Sequence, residues 1–185
     1  MTDDAKNNDP STAPAPQKIG FARRAVGFGT ILFGCGCIFV MDHVDIIMNA
    51  SQSLDEPSFV MLDHPFWLSH GVVVSATMPS VLQANYGAYQ YVKRIGGVPG
   101  DEITLDDAGS PCVNDVCYPV WFKDDAPVVP TIAPGIIPSN HYALFGTSPD
   151  SLDSRYAIIG LIPEETLVGR GWALPIKADW REVSE

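Results

Sequence analysis

Residues 91–101 read YVKRIGGVPGD and hold the clearest structural pattern in this 185-residue chain. Side chains alternate across a β-strand with a period of two, so Tyr91, Lys93 and Ile95 would share one face and Arg94 would lie on the other. The Gly-Val-Pro-Gly-Asp sequence that closes the stretch is typical of a turn. The stretch therefore predicts a strand that places Lys93 on a largely apolar face.

Apolar runs of strand length recur on both sides of this stretch, separated by clusters of Gly, Pro, Asp and Asn. They cover residues 59–62, 72–76, 89–95, 103–105, 142–145, 158–162 and 166–174. Residues 81–89 predict one short helix, and four prolines in 126–140 predict a stiff, extended loop. We therefore predict one mostly β domain, built as an antiparallel β-sheet.

The N-terminal part of the chain contains one long apolar segment. Residues 25–41 form a run of 17 residues without a charge. As an α-helix this run is about 25 Å long, close to the roughly 30 Å of a bilayer's hydrocarbon core. The run predicts a transmembrane helix; a buried core helix and a removable signal peptide are the alternatives.

The charges that flank the apolar run differ in sign. Basic residues precede it and acidic residues follow it: Lys18, Arg23 and Arg24 before, Asp42 and Asp45 after. The positive-inside rule then keeps the N-terminus in the cytoplasm. We predict a disordered cytoplasmic tail over residues 1–20, a transmembrane helix over 21–42 and an extracytoplasmic domain over 43–185. Residues 42–185 carry 7 basic and 19 acidic residues, a net −12, which argues against nucleic-acid binding.

Two cysteines lie close together beyond the apolar run. Cys112 and Cys117 flank Val-Asn-Asp-Val, whose Asn-Asp centre is typical of a turn between two strands. We predict a disulfide across this hairpin, which suits an oxidising compartment. A metal site is the alternative, but the C-x4-C spacing has no second pair and the four histidines are scattered. The sequence predicts no metal and no cofactor.

Three segments resemble the sequence boxes of the type I signal peptidases. Residues 91–101 resemble the lysine box, and residues 148–160, SPDSLDSRYAIIG, resemble the last box. Residues 49–54, NASQSL, are more similar to the serine box of the TraF-type conjugative-transfer peptidases, with the following proline displaced by Asp55 and Glu56. The resemblance implies a membrane-anchored serine peptidase with a Ser/Lys dyad and an antiparallel β fold.

By this resemblance Ser53 is the nucleophile and Lys93 its general base, while Ser51 supplies a side-chain donor to the oxyanion hole. A lysine accepts the serine proton only when it is neutral, so burial must lower its pKa from roughly 10.4. The alternatives are a solvated strand lysine, a polar serine in a juxtamembrane loop, and Ser51 as the nucleophile.

The resemblance also assigns the last box. Ser151 matches the residue that hydrogen-bonds the lysine ammonium, and Asp153 and Arg155 match a supporting ion pair. The alternative is that this pair only stabilises a turn. Asp153 also matches an acid to which TraF-type enzymes are thought to give a role in joining the ends of a pilin.

The combined pattern predicts an endopeptidase that matures a conjugative pilin precursor at the bacterial inner membrane, with its catalytic domain in the periplasm. Only 57 positions separate Lys93 from Asp150, too few for the large insert of many housekeeping signal peptidases. A general signal peptidase and an inactive component of a secretion machine are the alternatives. The expected partners are a precursor protein, the lipid bilayer and other conjugation components.

Overall fold

The computed structural model describes residues 19–49, 51, 53–87, 89–123 and 126–176. Residues 1–18 of the predicted tail lie outside this range. Contacts divide the chain between Asp42 and His43 into two units, one containing the N-terminal helix and the other the β-strands.

The N-terminal helix, α1, spans Ile19–His43. It begins two residues before the predicted start of the transmembrane segment and ends one residue after its predicted end. The segment Arg23–His43 is long and apolar enough to cross a bilayer, and none of its most apolar window is buried. An N-terminal apolar helix of this length fits a membrane anchor.

The strands form the second unit. In chain order they are β1 Val44–Met48, β2 Ser58–Asp63, β3 Val73–Ala76, β4 Tyr91–Gly97, β5 Glu102–Leu105, β6 Pro111–Val113, β7 Val116–Cys117, β8 Phe122–Lys123, β9 Ala126–Pro127, β10 Gly135–Ile136, β11 His141–Phe145, β12 Ile162–Pro163 and β13 Leu167–Leu174. A short helix, α2, spans Ser80–Tyr86, and a 3-10 helix spans Glu164–Thr166.

Every strand pair in the described part of the chain is antiparallel. The largest sheet has seven strands in the order β1-β2-β13-β3-β4-β11-β12. A four-stranded sheet has the order β10-β5-β6-β7, and β8 pairs with β9. The predicted antiparallel β fold is therefore confirmed, with β1 and β2 forming a hairpin at one edge of the main sheet and β4 near its centre.

Three buried clusters hold the unit together. One of them joins the two larger sheets, since Ile103 and Val113 pack with Ala143 and Phe145. A second lies under the β1–β2 hairpin and consists of Leu54, Phe59, Met61 and Val73. The third and largest covers one face of β3, β4 and β11. Burial of this apolar surface is the main force that fixes the strand register.

One expectation about an individual element is wrong, and one strand was missed. Residues 158–162 form turns with only Ile162 in a strand; the amide N–H of Gly160 donates to the carbonyl of Tyr156, and Gly160 has a positive φ of 67°. Strand β1 was not predicted, because a short apolar run directly after a transmembrane segment carries no turn signal that separates the two. The helix expected over 81–89 is present as α2.

The predicted disulfide between Cys112 and Cys117 is present, and the two residues are partners across the β6–β7 hairpin. Asn114 and Asp115 both have positive φ, 46° and 68°, as a tight two-residue turn requires. Asp106 lies near the two sulfurs. Sulfurs joined in a disulfide offer no thiolate to a metal, so this group is not a metal site.

Candidate active site

The predicted nucleophile lies in the loop between β1 and β2, which Asn49 organises. The side-chain amide of Asn49 donates to the carbonyls of Leu54 at 2.6 Å and Glu56 at 2.9 Å. Its backbone N–H donates to the carbonyl of Pro57 at 2.9 Å. One asparagine therefore ties three positions that follow Ser53 to the end of β1.

A second tie holds Ser53 from the segment that follows β11. The carbonyl of Ser53 accepts hydrogen bonds from the backbone N–H groups of Thr147 at 2.9 Å and Ser148 at 3.3 Å. A Cβ at Gly146 would collide with this carbonyl and with the hydroxyl of Ser151. Glycine at position 146 therefore allows the two segments to approach closely.

The hydroxyls of the two predicted site serines are in contact. The Ser51 Oγ donates to the Ser53 Oγ at 3.1 Å. Ser53 is only 7% exposed, whereas Ser51 is exposed to solvent. The two candidate nucleophiles are therefore hydrogen-bonded to each other.

Lys93 lies on the buried face of β4. Burial alternates strictly along this strand, so the predicted division of its side chains between two faces is confirmed. Lys93 is 5% exposed, and its Nζ lies 5.0 Å from the centroid of the Tyr91 ring. The alternative of a solvated strand lysine is therefore wrong.

Burial changes the chemistry of Lys93. Removal of the ammonium from water lowers the pKa of Lys93 from 10.5 to about 8; the Asp153 carboxylate opposes this change and the Arg155 guanidinium adds to it. Among the described residues Lys93 has no ion pair. Neutral amine is thus available to accept a proton near neutral pH.

One cleft of about 440 Å³ brings the predicted residues together. Its lining includes four of them: Ser51, Ser53, Lys93 and Ser151. Most of the remaining lining is apolar and comes from the hairpin, α2 and β4. Such a lining can hold apolar groups of a bound molecule.

Asp153 and Arg155 form the predicted ion pair, and both are buried. The Arg155 Nε donates to Asp153 Oδ1 at 2.8 Å, and one Nη donates to Asp153 Oδ2 at 3.0 Å. The pair also holds Gly146, whose N–H donates to Asp153 and whose carbonyl accepts from Arg155, at 2.7 and 2.9 Å. Since Gly146 precedes the Thr147 N–H that holds Ser53, the pair supports the loop between β1 and β2 and does more than stabilise a turn.

The position of Asp153 limits its chemistry. Its side chain has no exposed surface, and both carboxylate oxygens accept hydrogen bonds from Arg155 or from backbone N–H groups. A substrate amine therefore has no access to this carboxylate, and a direct role in joining pilin ends has no support here.

Ser151 differs from expectation. It is buried and lines the same cleft as Lys93, but within the described part of the chain its Oγ has no hydrogen-bond partner. The expected bond from Lys93 is therefore absent. The neighbouring residue Leu152 is held by the Tyr91 hydroxyl, which donates to its carbonyl at 3.1 Å. Burial, with the Asp153 charge, raises the pKa of Tyr91 well above its usual value, so Tyr91 stays a neutral donor.

Asn49, Gly146 and Tyr91 also contact the site, although no role was predicted for them. Asn49 and Tyr91 stand inside the quoted serine and lysine boxes, so their positions were a signal that could have been used. Gly146 had no such signal, because glycine is needed at this position only on account of the close approach of Ser53 and Ser151.

An antiparallel β unit with Ser53 and Lys93 on the lining of one cleft is the arrangement expected of a serine peptidase of the signal-peptidase type. The model of the family described as "Signal peptidase, peptidase S26" matches residues 21–174. The chain belongs to this family. A search of curated proteins found no significant match.

Proposed function

We propose that the protein is a membrane-anchored serine endopeptidase that cuts an exported precursor through an acyl-serine intermediate. The observation that carries the proposal is the burial of Lys93 in the same cleft as Ser53, with its pKa lowered to about 8. A buried lysine without an ion pair in the described part of the chain destabilises a fold, and catalysis gives a reason for it. This argues against the alternative of an inactive component of a secretion machine.

In the proposed mechanism the neutral Lys93 amine takes the proton of the Ser53 hydroxyl as Oγ attacks the scissile carbonyl carbon. The oxyanion accepts hydrogen bonds from the Ser53 N–H and from the Ser51 hydroxyl, which turns from Ser53 to the substrate. The Lys93 ammonium then protonates the leaving amine. Lys93, neutral again, takes a proton from the water that attacks the acyl-serine carbonyl carbon. The resulting ammonium gives this proton to Ser53 Oγ as the bond between Oγ and the acyl carbon breaks, which releases the acid product and restores both residues.

The surrounding residues have supporting roles. The unpartnered Ser151 hydroxyl lies in the same cleft and can accept a hydrogen bond from the Lys93 ammonium once it forms. Asp153 and Arg155 hold Gly146, and through the next residue the Ser53 carbonyl. Geometry held in this way lowers the reorganisation needed for attack.

We further propose that the precursor is a conjugative pilin, on the basis of the NASQSL serine box and the short connection from Lys93 to Asp150. A general signal peptidase is the second candidate. The apolar lining of the cleft suits the residues before the cut in either kind of precursor.

The test is cleavage of two precursors, a conjugative pilin precursor and a secretory preprotein, by the detergent-solubilised protein. We expect Ser53→Ala to be inactive and Ser51→Ala to be slower by on the order of 100-fold, the usual loss for one oxyanion donor. Ser69→Ala, at an exposed serine outside the cleft, is the control and should match the wild type. Activity kept by Ser53→Ala but lost by Ser51→Ala would make Ser51 the nucleophile. Faster cleavage of the preprotein would favour the general signal peptidase.

We also propose the topology of an inner-membrane protein with its N-terminus in the cytoplasm and residues 43–185 in the periplasm. A reporter fused after Glu185 is expected to be active only outside the cytoplasm. Cys112 and Cys117 are expected to resist thiol labelling until the protein is reduced. A reporter active in the cytoplasm would contradict this orientation.

A further inference from the structure

Arg94 and Glu56 form an ion pair outside the cleft that holds Ser53 and Lys93. Arg94 follows Lys93 in β4 and is on the opposite face of the strand, where it is only partly buried. One Nη of Arg94 donates to Glu56 Oε1, and the other donates to the carbonyl of Gly71 at 3.0 Å. The side chains of Arg94 and Glu56 are 32% and 27% exposed.

Both partners lie close in sequence to the proposed catalytic residues. Glu56 is three residues beyond Ser53, and Arg94 is one residue beyond Lys93. Glu56 is also one of the two acidic residues that separate Leu54 from Pro57. It therefore stands where the serine box departs from the pattern that it resembles.

The nucleophile loop is the segment between β1 and β2 that holds Ser53, and within the described part of the chain its other hydrogen bonds do not reach β4. Asn49 ties the loop to its own hairpin, and Thr147 and Ser148 tie it to the segment after β11. Among the hydrogen bonds of the described residues, only the pair of Glu56 and Arg94 joins this loop to the strand that carries Lys93.

We infer that Glu56 and Arg94 are positioning residues, which set the distance of the Ser53 hydroxyl from the Lys93 amine by holding the nucleophile loop on β4. The inference rests on the proposed function, because it assigns the pair to that reaction. Neither residue lines the catalytic cleft, so the pair acts through Ser53 and Lys93 and not on the substrate. A displacement of about 1 Å between reacting groups is enough to slow a reaction by on the order of 100-fold.

A pair that positions Ser53 and Lys93 can be distinguished by experiment from a pair that changes the pKa of Lys93. The charges that shift the pKa of Lys93 are those of Asp153 and Arg155, on the buried side. Neutralising Glu56 or Arg94 should therefore lower the rate and leave its pH dependence unchanged.

The experiment measures single-turnover cleavage of a pilin precursor or a secretory preprotein by Glu56→Gln, Arg94→Gln and the double variant. We expect each single variant to lose on the order of 10- to 100-fold in the rate at saturating precursor, with little change in the concentration for half saturation. The double variant should be no slower than the slower single one, because either change alone breaks the pair. Arg94→Lys, which keeps one charged donor, should be faster than Arg94→Gln.

Glu102→Gln, at an exposed glutamate of β5, is the matched control and should keep the wild-type rate. Losses that multiply in the double variant would overturn the inference, as would losses confined to precursor binding. An unchanged rate in both single variants would overturn it as well.

A second measurement separates this inference from the proposed function. Amide hydrogen exchange of Asn49, whose N–H is bonded to the Pro57 carbonyl, should accelerate by about 10-fold or more in Glu56→Gln, while β13 amides stay unchanged. Cleavage that Ser53→Ala leaves intact would refute the proposed function. Unchanged exchange at Asn49 would refute the positioning role whatever the outcome for cleavage.

Discussion

Lys93→Met is expected to lose precursor cleavage by at least about 10⁴-fold, as removal of a member of a serine-base unit does. Ser53→Ala should lose as much, and the double variant should be hardly worse than either, because the two residues act as one unit. Both variants should accumulate in the membrane like the wild type. Cleavage within about 10-fold of the wild type in either variant would contradict the dyad.

The same Lys93→Met variant is expected to be more stable than the wild type at pH 7. The pKa of Lys93 in the folded protein, about 8, is below its unfolded value of 10.5, so the buried ammonium disfavours folding at every pH below 8. The difference in pKa corresponds to roughly 3 kcal/mol, an upper bound for the gain. The gain should shrink as the pH rises from 8 to 10.5, because Lys93 then becomes neutral in the unfolded wild-type chain as well as in the folded one.

Thermal unfolding of the detergent-solubilised proteins at several pH values measures this effect. Lys123→Met, at an exposed lysine of β8, is the matched control and should change neither cleavage nor stability. A strongly destabilised Lys93→Met at pH 7 would mean that Lys93 is a charged structural residue.

Arg155→Met is expected to have the largest effect on stability, a loss of about 3–5 kcal/mol in the free energy of unfolding. The change leaves the fully buried Asp153 carboxylate without its ion partner and removes a donor from the Gly146 carbonyl. Denaturant unfolding at pH 7 measures the loss. Cleavage should fall with it, because the backbone that holds Ser53 depends on Gly146.

The control for Arg155→Met is the double variant Asp153→Leu/Arg155→Met. It removes both charges, so we expect it to be less destabilised than the single variant. A single variant within about 1 kcal/mol of the wild type would show that the pair does not support the fold.

The sequence predicted best what depends on neighbouring residues. Strand β4 was predicted correctly because alternation along one strand fixes which side chains are buried, and the Cys112–Cys117 hairpin because Asn114 and Asp115 favour the turn. The prediction of a strand over 158–162 is wrong because an apolar run does not show that the chain reverses at Gly160.

Other features depend on distant parts of the chain and had no local signal. The ties from Thr147 to Ser53 and from Arg94 to Glu56 join residues far apart in sequence. The resemblance compensated in part, because it assigned Ser53, Lys93 and Ser151 to one site before their common cleft was known. It also predicted a bond between Lys93 and Ser151 that the structure does not contain.

The pH dependence of single-turnover cleavage by the wild type tests the central claim, that neutral Lys93 activates Ser53, most directly. The rate should rise by about 10-fold per pH unit below pH 8 and level off above it, because one proton must leave an amine whose pKa is about 8. Ser53→Ala, measured in parallel, gives the background. A Ser53-dependent rate that is flat between about pH 6 and 10 would contradict Lys93 as the base.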